Sequence, residues 1–168
     1  MTQDSLRERS RRTLDSARSH HEADPGLANT VWYGRVLGFR YQIDEAIAVF
    51  SAGLERFPDS FELLRQRGHR YLSTRRFPEG LADLARAAEL IEGLPEWIEP
   101  DGKDNELPVP PTSIQFNTWY HLALAHYLLG DWDAAEAAYR RCLDWVREGD
   151  HDGLTACNDW LYMTLRRW

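Results

Sequence analysis

The sequence predicts an all-α fold, an α-solenoid built from antiparallel helix pairs, and three observations point there. The chain repeats itself at an interval of 34 residues. Inside each copy, apolar side chains recur at three- and four-residue steps, the spacing of a helix face. A third copy keeps the same internal spacing after an extra 21 residues. A fixed period of this length marks stacked helical units, each too small to bury its own apolar face without neighbours.

The offsets are constant. Gly34 recurs as Gly68, Leu37 as Tyr71, Ala46 as Gly80, Phe50 as Leu84 and Gly53 as Ala87, and the third set, Ala123, His126, Ala135, Tyr139 and Cys142, stands 55 positions beyond the second. The first 26 residues read as an N-terminal capping helix over 4–22, with Leu6, Leu14 and Ala17 on its apolar side and Asp24-Pro25 ending it. Residues 27–60 form the first helix pair, closed by Pro58, and residues 61–94 the second. The third pair spans 115–150: Trp119, Leu122, Ala123 and His126 share one helix face, and Ala135, Tyr139, Cys142 and Leu143 the next. Gly130 allows a left-handed helix end there and Asp131 starts the following helix. The small residues Gly34, Gly68 and Ala123 fall where paired helices cross, so that the backbones can approach closely. Residues 151–168 form a terminal helix, half of a further repeat, with Leu161, Tyr162 and Leu165 on one side. Its missing partner leaves an apolar flank, and a homodimer through Trp160, Leu161 and Trp168 is expected.

Between the second and third pairs lies a proline-rich acidic insertion at 95–114. Prolines 95, 100, 108, 110 and 111 exclude continuous helix. Two readings stand. The segment is either a surface insertion pinned by Trp97 and Ile98, or a lid in which Trp97, Glu99 and Asp101 reach over the neighbouring groove.

These residues resemble the tetratricopeptide repeat family. Its signature places large, leucine, small and aromatic residues in the first helix, then alanine, aromatic and alanine in the second, with a closing proline. Trp119, Leu122, Ala123, Ala135 and Tyr139 match it, as do Gly34, Ala46, Phe50 and Pro58, over roughly 27–94 and 115–148. Leu37 and His126 depart from it in an aromatic slot, Gly80 replaces the usual alanine, and Glu92 stands where the second copy's proline would be. The resemblance implies a right-handed superhelix of about three and a half repeats that binds a protein or peptide on the concave face lined by the first helices. By register that face holds Trp32, Arg35 and Phe39, then Arg65, His69 and Ser73, then Tyr120, His121, Leu124 and Tyr127, and finally Asp159 and Met163. Arginine forks and aromatic rings suit an acidic or carboxylate-bearing partner, unless Arg35 and Arg65 pair with acids of the insertion itself. Family members that clamp a carboxylate use lysine and asparagine where Val31 and Arg35 stand here.

With formal charge -7 and pI near 5.3, the chain is not a nucleic-acid binder by composition. No apolar run is long enough to cross a membrane, and the N-terminal residues are not a secretory leader, which places the chain in the cytoplasm. Two cysteines make no disulfide framework, so free thiols are expected. Nineteen arginines against one lysine suggest a GC-rich bacterial source. No metal, cofactor or catalytic residue is expected: His121 and His126 are five apart, on different helix faces, and the common nucleotide, hydrolase and zinc-protease motifs are missing. The alternative to a scaffold is a small-molecule or enzymatic pocket beneath the insertion, centred on His69 and His121 with Arg65, Tyr71 and Glu99 nearby.

Overall fold

A computed structural model describes residues 3–99 and 112–167, with side chains from Glu8 onward. Among the described residues the chain forms eight helices and a single isolated bridge between extended residues. They are α1 (Gln3–Ala23), α2 (Leu27–Phe39), α3 (Ile43–Arg56), α4 (Phe61–Ser73), α5 (Phe77–Ile91), α6 (Ile114–Leu129), α7 (Trp132–Leu143) and α8 (His151–Leu165). No described helix is long and apolar enough to cross a membrane.

Local chemistry sets the boundaries. Ser60, Ser113, Asp131 and Asp150 each accept a hydrogen bond from a backbone N–H three residues on, at 3.2, 3.1, 3.4 and 2.8 Å, starting α4, α6, α7 and α8. Pro78 lies in the first turn of α5, where no intrahelical N–H is needed. Gly130 ends α6 in the left-handed region at φ 81°.

Consecutive helices pack against one another along the whole chain. The first helices also touch across repeats, α2 with α4, α4 with α6 and α6 with α8, whereas α3, α5 and α7 do not meet one another. The stack is therefore pinched on the α2–α4–α6–α8 side, and this side is the concave one. The glycines explain the close crossings. A Cβ on Gly34 would lie 2.2 Å from the Phe50 ring, and one on Gly68 would lie 3.2 Å from the Gly80 carbonyl. Phe50, Leu84 and Tyr139, at equivalent places in α3, α5 and α7, are all fully buried. Leu14 and Ala17 of α1 join the core of the first pairs, and His21 stacks on Tyr33 at 5.3 Å, so α1 covers the open end of the stack.

The opposite end corrects two expectations. Leu161 is buried against α6 and α7, and Trp160 packs edge-on against Tyr127 at 5.1 Å. The exposed apolar residues of α8 are instead Leu154, Tyr162, Met163 and Leu165, because α8 turns its Trp160-Leu161 side inward. Trp168 lies outside the described residues. The cysteines are not free thiols: Cys142 of α7 and Cys157 of α8 form a disulfide, because the antiparallel packing of these helices brings two buried sulfurs together.

Candidate functional site

The concave face is built around one carboxylate. The two ends of the insertion zip together: Glu99 N–H donates to the Thr112 carbonyl at 2.9 Å and Ile114 N–H to the Trp97 carbonyl at 2.8 Å, with Ile98 and Ser113 forming an antiparallel bridge. Buried Gln115 fixes this junction, accepting from Trp97 N–H at 3.0 Å and donating to the Pro95 carbonyl at 2.7 Å. Held in this way, Glu99 projects between the first helices.

There it meets groups from three of them. Arg65 of α4 forms a short contact with one carboxylate oxygen, to which Asn117 of α6 also donates at 2.6 Å. Gln66 donates to the other oxygen at 3.2 Å, and Arg35 of α2 stands 3.6 Å from it. Glu99, Arg35, Arg65 and Gln66 are all more than nine-tenths buried. The Glu99 carboxylate tolerates removal from water because it is paired and accepts hydrogen bonds on both oxygens. Arg35 and Arg65 thus meet an acid of the insertion, one of the two outcomes left open by the sequence. Gln66, Gln115 and Asn117 were not among the expected site residues, since lone amides carry no repeat or motif signal.

A third guanidinium, Arg70, is buried close by over the backbone of Gly38 and donates to His69 Nδ1 at 3.1 Å. Burial, together with Arg65 and Arg35, lowers its pKa to about 10, so it stays charged at neutral pH. His69 and His121 do approach each other, their rings 4.0 Å apart and tilted. Burial and the neighbouring cations keep both neutral: His69 lies well below its ordinary value and His121 falls to about 3. His121 Nδ1 sits 2.6 Å from the Asn117 carbonyl and must carry the proton there.

These contacts revise several expected roles. The pocket alternative is centred on His69 and His121, whose tilted rings meet each other directly at 4.0 Å. Among the described residues an open cleft of about 360 Å³ lies between Leu27, Val31 and Trp32 of α2, Ile114 of α6 and Trp97 of the insertion, with Arg35 and Glu99 at its base and Glu62 at its edge. Trp97 forms a wall of this cleft and does not cap a closed cavity. Tyr127 is buried between Trp132 and Trp160 and lines no open groove, because α8 covers it. Tyr120 and Leu124 are half-buried against the α6–α8 core. Phe39 and Asp159 are exposed, with Arg35 5.9 Å from the Phe39 ring centroid. Asp101 lies outside the described residues. Among the described residues no cluster of three or more metal-ligating side chains occurs.

The class defined by this architecture is a solenoid of helix pairs with an inner face lined by their first helices. Residues 116–147 match the family model for the tetratricopeptide repeat. No curated protein matches the chain. Among solved structures, PcrH in complex with the chaperone-binding region of PopD is similar at 15% identity, covering 84% of this chain and 92% of that one with a TM-score of 0.65. The Sgt2 TPR domain from Aspergillus fumigatus gives 19% identity, 80% and 73% coverage and a TM-score of 0.60. The first TPR of Spaghetti bound to an HSP90 peptide gives 16%, 80% and 86%, and 0.60. Residues 116–147 thus carry a tetratricopeptide repeat, and the described residues share the α-solenoid fold of these structures.

Proposed function

We propose that the chain is a non-catalytic scaffold that binds a protein or peptide segment on its concave side. The observation that carries this reading is the cleft between Trp32 and Trp97, an apolar hollow on the face where the first helices converge. Two of the similar structures hold such ligands, an HSP90 peptide in Spaghetti and a region of PopD in PcrH. The groove residues of this proposal are Trp32, Phe39, Trp97 and Asp159. Arg35 and Arg65 act from beneath, fixing Glu99 and the wall it carries. An acidic group of a partner reaches these two arginines only by taking the place of Glu99.

The test is a binding assay on the intact chain with Trp32→Ala and Trp97→Ala together. Loss of partner capture with an unchanged melting curve is expected. Full capture by the double variant would remove the cleft from the binding face. Charge reversal of Arg35 and Arg65 is a poorer test, because it would leave buried like charges around Glu99 and unfold the stack. A homodimer through α8 is a separate proposal, carried by exposed Leu154, Tyr162, Met163 and Leu165; a clean monomer by sedimentation at high concentration excludes it.

A further inference from the structure

The Trp97 cleft is one half of a longer trough. On the other side of Trp97 lies a second hollow of about 430 Å³, walled by Phe57, Pro58 and Phe61. The two hollows share Leu27, Glu62 and Trp97, which form the ridge between them. This ridge is rigid at the main chain, because the Trp97 N–H and carbonyl are both hydrogen-bonded, to Gln115 and Ile114. Its ring meets Phe61 edge-on at 6.1 Å, yet 54% of the residue remains exposed. A large aromatic ring held in place and left open to solvent between two apolar hollows is suited to anchor an apolar group.

The charge of the ridge selects the ligand. Three carboxylates line the trough or its base, and two of them are paired. Glu99 is held by Arg65 and Arg35, and Asp59 pairs with Arg86 at 2.8 Å. Glu62 remains. It is half-buried, its carboxylate accepts only the Ser60 hydroxyl at 2.8 Å, and no cation lies within ion-pair distance among the described residues. Among the described residues the ridge therefore presents a negative charge with no cationic partner, set between two apolar sockets.

Resting on the scaffold reading, we infer that this trough binds a peptide segment in which two large apolar side chains flank an arginine or lysine. The apolar pair fills the hollows on either side of Trp97, and the basic group between them meets Glu62. The partner's charge at this place is opposite to the one that the arginine-rich register of the first helices suggests, because those arginines are already occupied by Glu99.

A synthetic peptide array tests this on the full chain. One set carries two leucines or phenylalanines flanking arginine, a second set has glutamate in place of the arginine, and anilinonaphthalene sulfonate serves as a small apolar probe. The arginine set is expected to bind about tenfold more tightly than the glutamate set. Trp97→Ala should abolish most of that binding. Ala28→Trp, at an exposed position lining the first hollow, should block it without touching the core. Glu62→Lys should invert the preference between the sets, a result that loss of folding cannot imitate. Preference of the wild-type chain for the glutamate set overturns the inference. Peptide binding that ignores all three variants overturns it too, while leaving the scaffold reading intact. Binding of the small probe alone, blocked by Ala28→Trp, with no peptide captured from either set, overturns both.

Discussion

Arg65 and Glu99 form a buried ion pair across 34 positions of sequence, one from the second helix pair and the other from the insertion that follows it. The pair closes the base of the insertion onto the concave face. Around it stand two more buried guanidiniums, Arg35 and Arg70, so three positive charges gather near this carboxylate.

Removing that carboxylate's charge should cost far more than a surface ion pair would. Glu99→Gln retains volume and some hydrogen bonding but removes the buried charge that Arg65 pairs with, and a loss of about 3 kcal/mol is expected in urea unfolding. Arg70→Met added to Glu99→Gln should recover part of it by removing like-charge repulsion. If the double variant is no more stable than Glu99→Gln, the effect is packing rather than charge.

The histidine pair predicts an acid-labile fold. The folded-state pKa values of His69 and His121 are depressed, by burial first and then, for His69, by His121, Arg70, Arg65 and Arg35 and, for His121, by Arg65 and Arg70. The unfolded chain takes up protons near pH 6.5 while the folded one does not, so the stability present above that value declines as pH falls toward the folded values. The slope is about 1.4 kcal/mol per pH unit for each histidine that stays neutral. Replacing both with glutamine, which keeps an acceptor for Arg70, should flatten the profile between about pH 6 and 4. An unchanged slope in that variant would assign the acid sensitivity to carboxylates instead.

The sequence carries the fold in its offsets because each repeat asks for the same thing at the same place: a small residue where helices cross, and a large one in the facing helix. Gly34 with Phe50 and Gly68 with Leu84 show that demand in contact distances. The site was legible only in part. Trp32, Trp97, Arg35, Arg65 and Glu99 could be named as candidates, and they do converge. The insertion, however, has no period to say that Glu99 points inward, and its place is set by Gln115 and the antiparallel pairing of Ile98 with Ser113. Tyr127 was misplaced because register cannot show that α8 folds over it. The cysteines were misread for a similar reason: a separation of 15 residues says nothing of pairing until two helices return on each other.

Close crossing makes Gly34 intolerant of any side chain. Its added Cβ would stand 2.2 Å from a ring atom of Phe50, which is fully buried and has nowhere to move. Gly34→Ala should therefore cost about 3 kcal/mol by overpacking, despite the better helix propensity of alanine. Phe50→Leu in the same chain should restore part of the loss, giving a favourable coupling in a double-mutant cycle. Additive losses would show that the two residues do not press on each other.

The disulfide ties the terminal helix to the third repeat. Alkylation without reductant, followed by mass analysis, should find neither Cys142 nor Cys157 labelled, and both labelled after reduction and unfolding. The bond closes a loop across a separation of 15 residues, for which the chain-entropy argument gives about 3 kcal/mol of stabilisation. Cys157→Ala should lower stability by that order and act mainly on α8, whose other attachments to the stack are Leu161, Trp160 and the Arg167 contact with Tyr127 at 3.3 Å. Hydrogen exchange then separates local from global effects: α8 amides should exchange faster in Cys157→Ala while those of α2 to α5 keep their protection. Uniformly faster exchange would instead mean that α8 belongs to the same cooperative unit as the rest of the solenoid.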